Sequence, residues 1–209
     1  MTPEQNISKV NSPIASLPPE LFAKFCAYLP PADLFTLSQV CRKFHGYLCA
    51  PNSFSTQQIW KESRLKFMPK EEMPPPKGMS EKNYVELLMM DRGCQTCKQI
   101  KICKIYWEFE VRICEECFLV KTVNEYKLLW SNYPQEFLNT MPHTYYFYGK
   151  YYWIEQIHIA YSQYYSLSKE DLKTWLDSKK LIFDSTMEYA TKRGMKHDTK
   201  RPSRFSRHN

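Results

Sequence analysis

Four of the eight cysteines fall into two pairs of identical spacing, Cys94-x2-Cys97 and Cys114-x2-Cys117, separated by sixteen residues. Two thiolates separated by two residues can close on one tetrahedral ion, and two such pairs complete a four-sulfur shell. A shell with no vacant position activates no water, so the chemistry expected here is structural, with one zinc ion. Disulfides do not suit a chain without a secretory signal, and a redox motif needs only one such pair. Zinc bound in small modules contributes on the order of 10 kcal/mol of folding free energy, so its removal should unfold at least this module. The remaining Cys26, Cys41, Cys49 and Cys103 read as small apolar fillers or free thiols.

The elements that must position these sulfurs follow from the flanking pattern. Between the pairs, Trp107, Phe109, Val111 and Ile113 alternate with Glu108, Glu110 and Arg112, the pattern of a hairpin in a zinc ribbon. Lys98 and Phe118 stand where many ribbons carry glycine. Ser80 caps an upstream helix whose inner face is Tyr84, Leu87 and Leu88, and a helix from Phe118 to Trp130 turns Val120, Val123, Leu128 and Leu129 inward. Residues 145–153 read YYFYGKYYW, a two-stranded aromatic ribbon turning at Gly149-Lys150, which serves either as core or as a recognition surface. Helices over about Ile154–Tyr165 and Lys169–Arg193 cover it, with Ser168 as N-cap and with Trp175, Ile182 and Tyr189 recurring every seven residues. His158 sits on the stripe of the first of these, the place of a hydrogen-bonded core histidine or of a metal ligand.

At the other end, residues 16–48 read as two helices joined by Pro30-Pro31. Pro18 and Pro19 suit a first helical turn, and Leu17, Leu21, Phe25 and Leu29 recur every four residues, widened by Phe22 and Cys26. Leu34, Leu37, Cys41, Phe44 and Leu48 follow the same logic after the break. Two helices this short cannot bury both apolar sides against each other, which leaves surface for a partner. A short helix near Ser55–Arg64, presenting Ile59, Trp60 and Ser63, closes the unit.

Leu17-Pro18-x-Glu20-Leu21, Tyr28-Leu29, Asp33-Leu34, Leu37-Ser38 and Val40-Cys41-Arg42-x-Phe44, with Trp60 and Arg64 beyond, resemble the F-box. Phe25 departs from the Ile or Val usual there. The resemblance implies a three-helix module that docks on the Skp adaptor of a cullin-based ubiquitin ligase, with Leu17, Pro18, Leu21, Leu29, Leu34, Leu37, Val40 and Cys41 as its contacts. An F-box followed by a four-cysteine module and Ile105-Tyr-Trp-Glu-Phe109 is similar to a group of fungal F-box proteins, which implies that zinc belongs to the substrate-receptor half.

The fold class expected is mainly α with a small β element, α+β. Its parts are a flexible start (1–15), the F-box (16–67), a Pro-rich linker (68–79) and a helix with the zinc module (80–130). Beyond these come the aromatic ribbon with helices, a substrate-recognition region (131–193), and a basic disordered tail (194–209). Of the net charge of +7, residues 192–209 carry seven Lys or Arg against one Asp, so the basicity belongs to the tail, read as a solvated end or as a nuclear-import or nucleic-acid contact. Zinc, aromatic ribbon and tail together also fit a second reading, a nucleic-acid-binding zinc protein. No apolar run suffices for a membrane helix, and the expected location is cytosol or nucleus. An enzyme fits least: five glycines form no phosphate loop, HExxH is absent, and no nucleophile stands at a recognisable spacing from a base.

Overall fold

The computed structural model describes residues 13–89, 93–147 and 149–198, within two compact units that divide between Leu88 and Met89. The architecture is mainly α with small antiparallel sheets, in agreement with the fold class read from the sequence. Residues 1–12 of the expected flexible start and 199–209 of the expected tail lie outside the described residues.

The first unit contains α1 (Pro19–Cys26), α2 (Pro31–Leu37), α3 (Arg42–Cys49), α4 (Phe54–Phe67) and α5 (Glu81–Leu88). Pro18 is the N-cap of α1 and Pro19 its first residue, where a missing N–H costs nothing. The stretch read as one helix from Pro31 to Leu48 is two. The Ser38 hydroxyl donates back to the Phe35 carbonyl at 2.7 Å, a local bond that competes with helix continuation. Cys41 then takes an extended backbone (φ -156°, ψ 163°), so α3 starts in a new direction. The core is Phe22, Cys26, Leu34, Phe35, Phe44, Leu48 and Trp60. Phe22 stacks on Phe44 with centroids 4.9 Å apart, and Phe35 meets Trp60 at 4.5 Å. The Trp60 indole N–H donates to the Leu48 carbonyl at 2.8 Å, and the Ser63 hydroxyl donates to the Leu29 carbonyl at 2.7 Å. A carbonyl in the last turn of α3 and one in the connection from α1 to α2 are thereby satisfied from α4.

The Pro-rich stretch 68–79, read as a linker between domains, lies inside the first unit. Prolines remove backbone donors but keep carbonyl acceptors. The Glu71 carbonyl accepts from Arg64 Nη1 at 2.5 Å and the Met73 carbonyl from the Tyr84 hydroxyl at 2.9 Å. Arg64 also grips Glu81 with two bonds, 2.9 and 3.1 Å, which fixes α5 on α4.

The second unit runs β1 (Cys103–Tyr106), β2 (Val111–Cys114), α6 (Glu115–Lys121), β3 (Thr122–Asn124), α7 (Glu125–Trp130), α8 (Gln135–Leu138), β4 (His143–Tyr146), β5 (Gly149–Trp153), α9 (Ile154–Ser166) and α10 (Lys169–Asp198). β1 and β2 form the expected hairpin, Cys103 opposite Cys114 and Tyr106 opposite Val111. The alternation read over 107–113 is corrected in two respects: residues 107–110 form the turn, and Arg112 is buried, with Nε donating to the Gly93 carbonyl at 2.8 Å and Nη1 to that of Met89. The helix expected from Phe118 to Trp130 is interrupted because Thr122 and Val123, both β-branched, form β3 instead. The ribbon thus becomes a three-stranded sheet in the order β3-β5-β4. It does not turn at Gly149-Lys150. Gly149 pairs with Tyr146 inside the sheet, where a Cβ would stand 2.8 Å from the Asn124 amide nitrogen.

Alternation along β5 divides its rings between two cores. Tyr151 and Trp153 pack with Tyr106, Phe109, Ile113 and Phe118 on the cysteine side. Tyr152 packs with Leu128, Phe137, Leu138, Ile157 and Tyr164 on the other. Ser168 caps α10, its hydroxyl accepting from the Asp171 N–H at 3.2 Å, as a serine at this position can. Trp175 and Leu176 of α10 join the second core, but Ile182 is exposed, and the helix runs five residues past Arg193, into the stretch expected to be disordered. His158 is exposed rather than in the core.

Candidate functional site

The thiol sulfurs of Cys94, Cys97, Cys114 and Cys117 all lie within 4.8 Å of one another, Cys97 and Cys114 at 4.0 Å. Sulfurs of a tetrahedral shell with bonds of ~2.3 Å stand ~3.8 Å apart, so the four could hold one metal ion after a small contraction. They converge from two kinds of local structure. Cys94 and Cys97 sit on a tight loop: the Cys94 N–H donates to the Gln99 carbonyl and the Lys98 N–H to the Cys94 carbonyl, each at 2.9 Å. Lys98 turns the chain at φ 60°, in the place where glycine is usual. Gly93 opens the loop at φ +67°, where a Cβ would meet the Gln99 carbonyl oxygen at 2.4 Å. Cys114 instead ends β2 and Cys117 lies in the first turn of α6. The second pair is therefore not a second copy of the first loop, and Phe118, a buried helical residue, stands where no glycine is required.

The sulfurs carry opposed proton affinities. Burial raises that of Cys94, but N–H groups of Cys114, Cys97 and Thr96 directed at the sulfur outweigh it and bring the thiol down to about 6. Burial and the neighbouring sulfurs of Cys114, Cys97 and Cys94 push Cys117 up to about 12. Cys94 and Cys117 are thus pushed in opposite directions, and a bound cation would favour the thiolate of both. Cys103 stands opposite Cys114 in the hairpin; its thiol donates to the Lys101 carbonyl at 3.2 Å and neighbours Cys94, but it is not one of the four clustered sulfurs. Arg112 and Gly93, which hold the loop against β2, escaped the sequence reading. A lone glycine directly before a CxxC pair was the signal for one of them.

The second candidate surface is the outer side of the first unit. Phe22 and Cys26 face inward from α1, which leaves Leu21 51%, Phe25 44% and Tyr28 71% exposed, and beyond α2 Val40 is 65% exposed. Pro18 and Cys41 are exposed as well, while Leu17, Leu29 and Leu37 are half-buried. Leu34, expected among the contacts, is instead fully buried and belongs to the core. Phe54 at the start of α4 is also 83% exposed and was not singled out from the sequence. So many large apolar side chains on one small unit mark an interaction surface.

Among the described residues no helix is long and apolar enough to cross a membrane. Comparison with curated proteins and with solved structures gives no match. The segment that folds into the single turn Pro13–Ser16, α1, α2, α3 and the first half of α4 is similar to a known family: residues 14–61 match the F-box-like family model.

Proposed function

We propose that this protein is the substrate-receptor subunit of an SCF-type ubiquitin ligase. Its first unit binds a Skp adaptor, and through it a cullin scaffold, and its second unit holds a protein substrate. The observation that carries the reading is the set Leu21, Phe25, Tyr28 and Val40, large apolar residues left open on the outside of the F-box-like segment. Leu17, Pro18, Leu29, Leu37 and Cys41 complete the adaptor contact around them. Each such side chain buried on binding is worth about 1.5–3 kcal/mol before entropic costs, so a handful suffices for a stable complex.

The metal is one structural zinc ion on Cys94, Cys97, Cys114 and Cys117, since a closed four-thiolate set suits zinc and leaves no position for substrate. It stabilises the second unit and performs no catalysis; the transfer of ubiquitin belongs to other subunits. The nucleic-acid reading loses one of its motives. Tyr151, Tyr152 and Trp153 lie in the two cores, which leaves only Tyr145 and Phe147 among the described residues of the ribbon exposed for stacking. Affinity purification of the tagged full chain followed by mass spectrometry tests the proposal. Adaptor and cullin should be recovered together, and their joint absence would contradict it.

A further inference from the structure

An open groove of about 730 Å³ lies wholly within the second unit, between α7 and the start of α9. Its floor is Leu128 and Ile157, both buried members of the core, and its lining includes Trp130, a residue 88% exposed, and Tyr133. Lys127 and His158 are its cationic and imidazole groups, and no carboxylate is among its lining residues. Glu125, the acid nearest Lys127 in sequence, is already engaged by Lys150 at 3.1 Å. Among the described residues neither the Lys127 ammonium nor the His158 ring has a side-chain partner. A groove of this size takes one or two side chains rather than a folded surface.

We propose that this groove binds a short acidic peptide segment of a partner protein. A large apolar side chain of the segment is seated against Trp130, Leu128 and Ile157, and an adjacent carboxylate meets Lys127 with His158 as hydrogen-bond donor. The inference deepens the receptor reading and rests on it for its biological sense, because it names the class of segment a substrate would present. Charge complementarity selects the occupant. Exposed indole and apolar floor supply the anchor, and an ammonium with no carboxylate among the lining residues supplies the sign. A nucleic-acid strand is the lesser fit, because a strand needs a track of cations along its backbone and this groove holds one lysine.

The test is selection from a displayed random-peptide library on the full-length, zinc-loaded protein, followed by anisotropy titration of the enriched peptide. The expected consensus is an aromatic or large aliphatic residue next to Asp or Glu. Trp130→Ala should weaken binding by about thirtyfold, and Lys127→Glu by about tenfold or more. Both side chains are exposed, so the fold survives either change, which unchanged circular dichroism and zinc content would verify. No enrichment, a basic or purely polar consensus, affinity indifferent to both variants, or displacement of the peptide by single-stranded oligonucleotide would each overturn the proposal. Adaptor binding is measured on the same preparations. Its loss in the wild-type protein would sink the receptor reading alone, whereas peptide results read the groove alone.

Discussion

At the residue scale, the proposed zinc centre would depend on four sulfurs and on the few groups that aim them. Cys94→Ser or Cys114→Ser removes one ligand from a closed shell, and the expected outcome is loss of the zinc that a chromophoric chelator would titrate from the wild-type protein. Cys103→Ser should keep the ion, since that thiol bonds to the Lys101 carbonyl and is not one of the four clustered sulfurs. Gly93→Ala is the sharper probe of the loop. There φ is +67° and a Cβ would stand 2.4 Å from a backbone oxygen, so the backbone must move. The expected cost in the denaturation of the second unit is about 1–3 kcal/mol. The spacing of the cysteines made the cluster legible from sequence. Arg112 was not legible, because an arginine between Val111 and Ile113 in an alternating strand reads as solvent-facing. Only the tertiary fold brings the Gly93 and Met89 carbonyls to its guanidinium.

Between elements, the decisive contact of the first unit is Arg64 on Glu81, both buried, which joins α4 to α5 across the proline stretch. Removing one partner of a buried ion pair leaves an uncompensated charge, so Arg64→Ala or Glu81→Ala should each cost about 3–5 kcal/mol. The double substitution should cost less than the sum, a difference that urea denaturation of the set would measure. The sequence made 68–79 look like a linker because its prolines forbid helix and sheet. Its use as a row of carbonyl acceptors for Arg64 and Tyr84 was invisible without the side chains that reach it. The same limit applies to Thr122-Val123. Apolar periodicity carried the helix through them, and the strand wins because β5 offers an edge with which their backbone groups pair.

On the scale of the whole molecule, each unit has its own buried core, and the sulfurs belong to the second alone. Removing zinc with a chelator should therefore abolish the tertiary signal of the second unit, read by near-ultraviolet circular dichroism, while adaptor binding by the first persists. F-box character was legible from residues 16–48 because the proline break and the outward leucines belong to one local pattern. Which of those leucines faces outward was less so, since Leu34 shares the periodicity of its neighbours and yet belongs to the core. The most direct measurement is a calorimetric titration of a purified Skp-type adaptor into the full-length protein and into a Leu21→Ala, Val40→Ala variant that retains its circular dichroism. Saturable binding by the wild-type chain and a loss of about a hundredfold in the variant are the predicted result. Equal affinity of the two, or no binding by the wild-type chain, would contradict the assignment of this face to the adaptor.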